Sequence, residues 1–252
     1  MSKRPLILVS PSTERKGSEF ADASISLSNR YADAIAMAGG IPMIVPCLGT
    51  PDLVAECVCR ADGVLLTGGE DVQPHLYAPD LGEDLLAKVG PREPERDELE
   101  LRLIDEVFRQ RRALMAICRG HQILNVALGG TLIVDIPTQK PGALNHRQMD
   151  LKNDPVHTVE LTADSALAKV FERQEINVNS THHQAVDRVA QPLKVVATSK
   201  DGIVEAMELK DKQMLPFLVS VQFHPERLVD RHPEFIALFK EFANACAHSR
   251  HQ

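Results

Sequence analysis

Ala113-Leu114-Met115-Ala116-Ile117-Cys118-Arg119-Gly120-His121-Gln122-Ile123-Leu124-Asn125-Val126-Ala127-Leu128-Gly129-Gly130 is the stretch that decides the fold. Ala113 to Ile117 is an apolar run of strand length, and Ile123, Leu124, Ala127 and Leu128 recur at helical spacing until Gly129-Gly130 ends the pattern. Cys118 therefore stands between a buried strand and the helix after it. Small residues at 116 and 120 flank it as in a nucleophile elbow, a turn so sharp that neighbouring strands crowd the flanks while a strained backbone lifts the reactive side chain clear. Ala116 stands where that pattern prefers glycine. A helix N-terminus also favours thiolate over thiol. An inert buried cysteine is the competing reading, and only a matching base separates the two.

Outward from the elbow, short aliphatic runs alternate with segments of helical period, the pattern of a mostly parallel sheet covered by helices on both faces. Strands are expected at Leu6 to Ser10, Ile41 to Val45 and Gly63 to Leu66, with helices at Asn29 to Ala38 and Asp52 to Arg60 between them. Thr67-Gly68-Gly69-Glu70-Asp71 can only be a loop. Gly82 to Glu95 reads as an exposed excursion, after which Pro94 opens a helix whose buried stripe is Leu103, Ile104, Val107 and Phe108. Strand-like runs follow at Val156 to Leu161, Ile176 to Asn179, Leu193 to Ala197, Val204 to Leu209 and Phe217 to Gln222, some of them antiparallel extensions of the sheet. A last helix begins near Pro233, with Phe235, Leu238, Phe239, Phe242 and Cys246 on one stripe. No repeat, low-complexity tract or linker marks a boundary, so one α/β domain over residues 1–252 is expected.

Composition narrows the function. Apolar residues are 44% and charged residues 25%, as in an ordinary folded domain. No apolar run approaches the roughly 20 residues of a spanning helix, and no export signal is read at the N-terminus. The odd set Cys47, Cys57, Cys59, Cys118 and Cys246 suggests neither a disulfide framework nor a zinc ribbon, so a reducing cytoplasm is the expected home. A net charge of −7 without basic runs interleaved with aromatics disfavours nucleic acid and leaves a small ligand as the expected partner.

The base is found near the other end of the chain. The run Val219 to Phe223 ends in His224-Pro225-Glu226, and residues two apart in an extended segment face the same side. Glu226 can then orient His224, selecting its tautomer and steadying the imidazolium while the other nitrogen faces a thiol. A surface His and Glu at a strand end is the competing reading. His146, His157, His182, His183, His224 and Glu226 are numerous enough to raise a metal site, but no HxxxH or comparable ligand spacing occurs, and none is expected.

Thr67-Gly68-Gly69, the elbow at Cys118 and Gln222-Phe223-His224-Pro225-Glu226 together resemble the class I glutamine amidotransferase superfamily over almost the whole chain. Arg96-Asp97, Asn125-Val126, Gly129-Gly130-Thr131-Leu132 and Val178-Asn179-Ser180-Thr181-His182-His183-Gln184-Ala185-Val186 narrow the resemblance to the γ-glutamyl hydrolase branch typified by γ-glutamyl-γ-aminobutyrate hydrolase of putrescine breakdown. The resemblance implies a flavodoxin-like, three-layer α/β/α fold with an antiparallel extension. It implies a triad of Cys118, His224 and Glu226, an oxyanion hole from the backbone N–H groups of Gly69 and Arg119, and no cofactor. Gly68, Gln122, His182 and His183 are implied at the substrate. Gln122 reads equally as a polar residue on the exposed side of its first turn, and each histidine as a structural hydrogen-bonded one. Arg96 and Asp97 read as a helix cap and its ion pair.

Three functions compete on these grounds: a free-standing cysteine hydrolase of γ-glutamyl amides, a glutaminase subunit serving a separate synthetase, and a catalytically silent binding protein that keeps the fold. The intact Cys118, His224 and Glu226 oppose the third, and the absence of a Gly-x-x-x-x-Gly-Lys motif means that the second requires another chain. A homodimer is the expected assembly only because twofold oligomers are common.

Overall fold

The aliphatic runs form one nine-stranded sheet in the computed structural model, which describes residues 4–46 and 50–249. Its strands in chain order are β1 (Leu6–Val9), β2 (Ile41–Ile44), β3 (Gly63–Leu66), β4 (Ala113–Ile117), β5 (His157–Leu161), β6 (Glu175–Val178), β7 (Leu193–Ser199), β8 (Val204–Leu209) and β9 (Leu218–Val221). Their spatial order is β2-β1-β3-β4-β9-β8-β7-β5-β6. The pairings from β2 through β9 are parallel. Those from β9 outward to β6 are antiparallel, the extension expected from the second half of the chain.

Why the central strands read as unbroken apolar runs is plain from the two cores they separate. Side chains alternate across a strand, so Ile7, Val9, Leu65, Met115, Ile117, Val219 and Val221 enter one core while Leu8, Val64, Leu66, Leu114 and Ala116 enter the other. The first core is covered by α1 (Asn29–Met37) through Tyr31, Ala34 and Ile35, and by a long C-terminal helix through Leu238, Phe239 and Phe242. The second is covered by α2 (Pro51–Arg60) through Val54 and Val58, by α3 (Pro94–Gln110) through Leu99, Leu103, Ile104 and Val107, and by α4 (Arg119–Ala127) through Ile123 and Leu124. Helices on both faces of a mostly parallel sheet make the fold three-layered α/β.

Several details depart from the expectations. Phe108 is only partly buried, and Leu99 takes its place on the α3 stripe. The excursion before Pro94 contains a short helix, Glu83–Leu86, and a bridge from Asp71 to Arg92 ties its ends together. A hairpin pairs Ser12–Glu14 with Ser24–Ser26, and α5 (Ala166–Phe171) is capped by Ser165, whose Oγ accepts from Ala168 N at 2.9 Å. Both elements are too short to show a period in sequence. The last helix, α6 (Ile236–His248), starts after a 3-10 turn at Pro233–Phe235. Cys57, Cys59, Cys118 and Cys246 are free thiols, and Cys47 lies outside the described residues. No helix among the described residues is long and apolar enough to cross a membrane.

Phe242 is fully buried, and its ring lies 5.6 Å from that of Phe217 at the end of the sheet. Truncation leaves a cavity between two rigid layers, so Phe242→Ala is expected to cost about 3–5 kcal/mol in denaturant unfolding. Leu86→Ala, at an exposed position, should change stability by less than about 0.5 kcal/mol in the same measurement.

Candidate active site

The strand-to-helix turn has the strained geometry its sequence requires. Cys118 carries φ +53° and ψ −104°, a conformation L side chains rarely adopt, and it persists because the surrounding sheet fixes both sides of the turn. Its N–H donates to Val221 O on β9 at 2.8 Å, and Gly120 N donates to Thr67 O beyond β3 at 3.2 Å. A Cβ on Gly120 would lie 2.6 Å from Leu66 O, so glycine is obligatory there. Ala116, where the pattern prefers glycine, is fully buried inside β4. Cys118 is only 7% exposed, yet it lines a cleft of about 450 Å³ together with His224.

His224 follows β9 and is held by Asn179, whose Oδ1 accepts from His224 N at 2.9 Å and whose Nδ2 donates to His224 O at 3.1 Å. Glu226 reaches it from a 3-10 turn, Pro225–Arg227, rather than from the extended segment the spacing suggested. His224 Nδ1 and Glu226 Oε1 are 2.8 Å apart with Glu226 fully buried. Nε2 is then the nitrogen free to face the Cys118 sulfur, which lines the same cleft. Burial opposes charge on this imidazole, but Glu226 and then the Cys118 sulfur overcome it and raise its pKa to about 10. Tyr31, unforeseen in the sequence, accepts from Gly68 N at 2.9 Å and stands 3.5 Å from His224 Nδ1. It joins His224 to the glycine loop.

That loop is fastened from behind by α3. Arg96 is fully buried and donates through Nη2 to Thr67 O at 2.9 Å and Gly68 O at 3.0 Å, and through Nε to Glu100 Oε1 at 2.9 Å. Arg119 pairs with Glu100 and Asp97. Arg96 and Asp97 are thus no helix cap, since α3 has Glu93 at its N-cap with no side-chain capping bond and both residues face inward. A Cβ on Gly69 would lie 2.1 Å from Arg96 Nη1, so the loop can approach the guanidinium only as glycine. The N–H groups of Gly69 and Arg119 donate to no group among the described residues, and Arg119 opens α4 where helical amides lack partners.

Gly68, Gln122, His182 and His183 all line the same cleft. Gln122 is buried, not on an exposed turn, and its Nε2 donates to Gln184 O at 3.2 Å and Gln222 Oε1 at 3.1 Å. His183 is clamped, with Nδ1 3.1 Å from Asp135 Oδ1 and Nε2 3.1 Å from Asp71, and the Asp71 hydrogen bond chiefly raises its pKa. His182 Nδ1 donates to Gln184 O at 2.8 Å. Both histidines are therefore engaged with the protein itself. Among the described residues His146, His182 and Glu205 could share a metal ion, and of these only His182 also lines the cleft. A second cavity, of about 440 Å³ near Phe171 and His232, contains neither Cys118 nor His224.

Known proteins share this architecture and sequence. The chain is 35% identical to a γ-glutamyl-γ-aminobutyrate hydrolase of Escherichia coli O157:H7, over 90% of this chain and 88% of that protein. It is 30% identical to a glutamine amidotransferase-like protein of Rickettsia prowazekii, over 97% of this chain and 99% of the other. Among solved structures, the glutaminase domain of Trypanosoma brucei CTPS with bound acivicin superposes with a TM-score of 0.63 at 14% identity, covering 96% of this chain and 94% of that one. A GMP synthase subunit from Thermoplasma acidophilum gives a TM-score of 0.62 at 17% identity, covering 99% and 97%. At those identities the two structures speak for the fold alone. Residues 5–226 match the Peptidase C26 family, and with relatives this similar over most of its length the chain belongs to that family.

Proposed function

We propose that this chain is a cytoplasmic hydrolase of γ-glutamyl amides, acting on γ-glutamyl-γ-aminobutyrate in putrescine degradation with Cys118 as nucleophile, His224 as acid and base, and Glu226 as its orienter. The observation that carries the reading is Cys118 at positive φ beside an imidazole whose other nitrogen is bound by a buried carboxylate. The named activity of the Escherichia coli relative supports the substrate. So does the charge of the cleft. Lys88, Arg147, Lys152 and Arg227 line it, enough cations for a substrate with a carboxylate at each end, while Glu70 and Asp71 suit the glutamyl ammonium.

The reaction divides into two acyl transfers. The Cys118 thiolate attacks the γ-carbonyl carbon, and the oxyanion is received by the Gly69 and Arg119 amides, a contribution of roughly a hundredfold or more per donor. The imidazolium of His224 gives its proton to the leaving nitrogen as the C–N bond breaks. Neutral His224 then takes a proton from water, whose oxygen attacks the γ-glutamyl thioester and releases glutamate and the free thiol.

Cys118→Ala should lower release of glutamate from γ-glutamyl-γ-aminobutyrate by at least about 10³-fold in kcat. Undiminished turnover would refute the nucleophile, and turnover of glutamine alone, appearing only on addition of another protein, would replace the proposal with a glutaminase subunit. The pH profile provides a separate check. His224 has a raised pKa, so the imidazolium persists through neutrality and is lost as pH rises through about 10. Because the Glu226 charge is what chiefly raises it against burial, Glu226→Gln should move the alkaline limb of kcat/KM to lower pH. An unmoved limb would mean that His224 is not the leaving-group acid.

A further inference from the structure

We propose that His146, His182 and Glu205 form a buried three-ligand binding site for one divalent transition-metal ion, zinc by the chemistry of its donors, with His157 packed against the Glu205 carboxylate beside it. Glu205 Oε1 lies 3.5 Å from His146 Nδ1, 3.4 Å from His157 Nε2 and 3.9 Å from His182 Nε2. Neither carboxylate oxygen has a hydrogen-bond partner, nor do His157 Nε2 and His182 Nε2, although Glu205 is fully buried. An orphaned carboxylate among three imidazoles needs an explanation.

The protons of the three rings are accounted for elsewhere. His182 Nδ1 is 2.8 Å from Gln184 O and His157 Nδ1 is 3.3 Å from Thr158 O, and a carbonyl oxygen only accepts, so in each ring the hydrogen is on Nδ1 and Nε2 bears the lone pair. His146 Nε2 is 3.0 Å from Asp201 Oδ2, which likewise puts its hydrogen on the nitrogen away from Glu205. Ser180 Oγ stands 3.3 Å from His146 Nδ1, but its one proton goes to His146 O at 2.8 Å. Three bare ring nitrogens and a carboxylate thus converge with no donor among them. A single proton on Glu205 would satisfy one imidazole and leave two.

The distances point the same way. Hydrogen bonds between such groups would close to about 2.7–3.2 Å. Donors about 2.0–2.1 Å from a tetrahedral zinc are instead separated from one another by about 3.3 Å, and the ligand atoms of His146, His182 and Glu205 all lie within 4.8 Å of one another, near enough for a small inward shift to close on an ion. Imidazole nitrogen with a carboxylate oxygen is a donor set that suits zinc, and each ring already has the outer hydrogen bond that orients metal-bound histidines. The site borders the Cys118 and His224 cleft and shares its wall through His182. It would staple β8 to the crossing at which His182 N donates to His146 O at 2.9 Å.

The test is metal uptake by the full chain. Protein stripped with a chelator is titrated with Co²⁺ under reducing conditions, for wild type, Cys118→Ser and Glu205→Gln, and zinc is then added in competition. The expected result is one cobalt per chain with visible bands of a nitrogen and oxygen complex, unchanged in Cys118→Ser, displaced by zinc and weakened at least tenfold in Glu205→Gln. Absence of uptake in wild type, undiminished uptake in Glu205→Gln, or a sulfur-to-cobalt band that vanishes in Cys118→Ser would each overturn the proposal. Should Glu205→Gln not fold, His146→Gln is measured instead with the same tenfold weakening expected, and unchanged binding there overturns it equally.

Discussion

The carboxylate of Glu100 is the point on which the geometry of the cleft depends. It accepts from Ser10 Oγ at 2.6 Å and from Arg96 Nε at 2.9 Å, and it pairs with Arg119. Burial pushes its pKa up, but Arg119 and then Arg96 outweigh this and hold it below the usual carboxylate range. Through Arg96 it fixes the carbonyls of the Thr67 loop, and through Arg119 it fixes the residue next to Cys118. Both candidate oxyanion amides are therefore aligned on one anion. Loss of a single member would leave a buried charge without its partner, a penalty of about 3–5 kcal/mol, which is why such lattices hold position so firmly. Arginine suits the task because its planar fork offers five donors, enough for Arg96 to serve two carbonyls, two hydroxyls and a carboxylate at once.

Around this lattice the parallel sheet performs the larger positioning. β3 ends at the Thr67 loop, β4 ends at Cys118, and β9 ends just before His224, and these three strands are neighbours in the order β3-β4-β9. Parallel strands bring their carboxyl ends to one edge, where open α/β sheets bind ligands. The strain at Cys118 is tolerable for that reason: its two flanking turns are each bonded to an adjacent strand end, through Val221 O and Thr67 O. The antiparallel extension lies behind the cleft and contributes to the buried histidine cluster. His157 on β5 and Glu205 on β8 come from it, as does the Gln222 N bond to Glu205 O at 2.8 Å that ties the approach to His224.

What was legible in the sequence is what local patterning encodes. The elbow shows because small residues, an apolar strand and a helical stripe are contiguous around Cys118, and the His224 and Glu226 pair shows because its members are two residues apart. Arg96 could be quoted in sequence but not understood, since its partners Thr67 and Gly68 come from a distant loop and its burial is a tertiary fact. Tyr31 had no signal beyond its place on the apolar stripe of α1. Glu100 looked like one more acid in a charged helix, and only the depth of α3 against the sheet makes it central. The same is true of His146, His157 and Glu205, whose separations obey no ligand motif because three different elements bring them together.

Catalytic and recognition groups are supported by different kinds of interaction, and this bears on how specificity arises in such a fold. Cys118, His224 and the candidate oxyanion amides rest on strand ends and a fully buried ion lattice, so a change there disturbs the sheet. The wall that would meet the leaving amine rests on loops joined by His183, which spans Asp71 and Asp135 at 3.1 Å each while remaining partly exposed. Asp71 and Asp135 sit on loops that no strand of the main sheet depends on, so the residues around them can be exchanged with little effect on the sheet. Lys88 belongs to the excursion that the Asp71 to Arg92 bridge closes, so the charge of the cleft mouth is set by a segment that no strand depends on. The groups around Cys118 and His224 can thereby remain fixed while the mouth of the cleft varies.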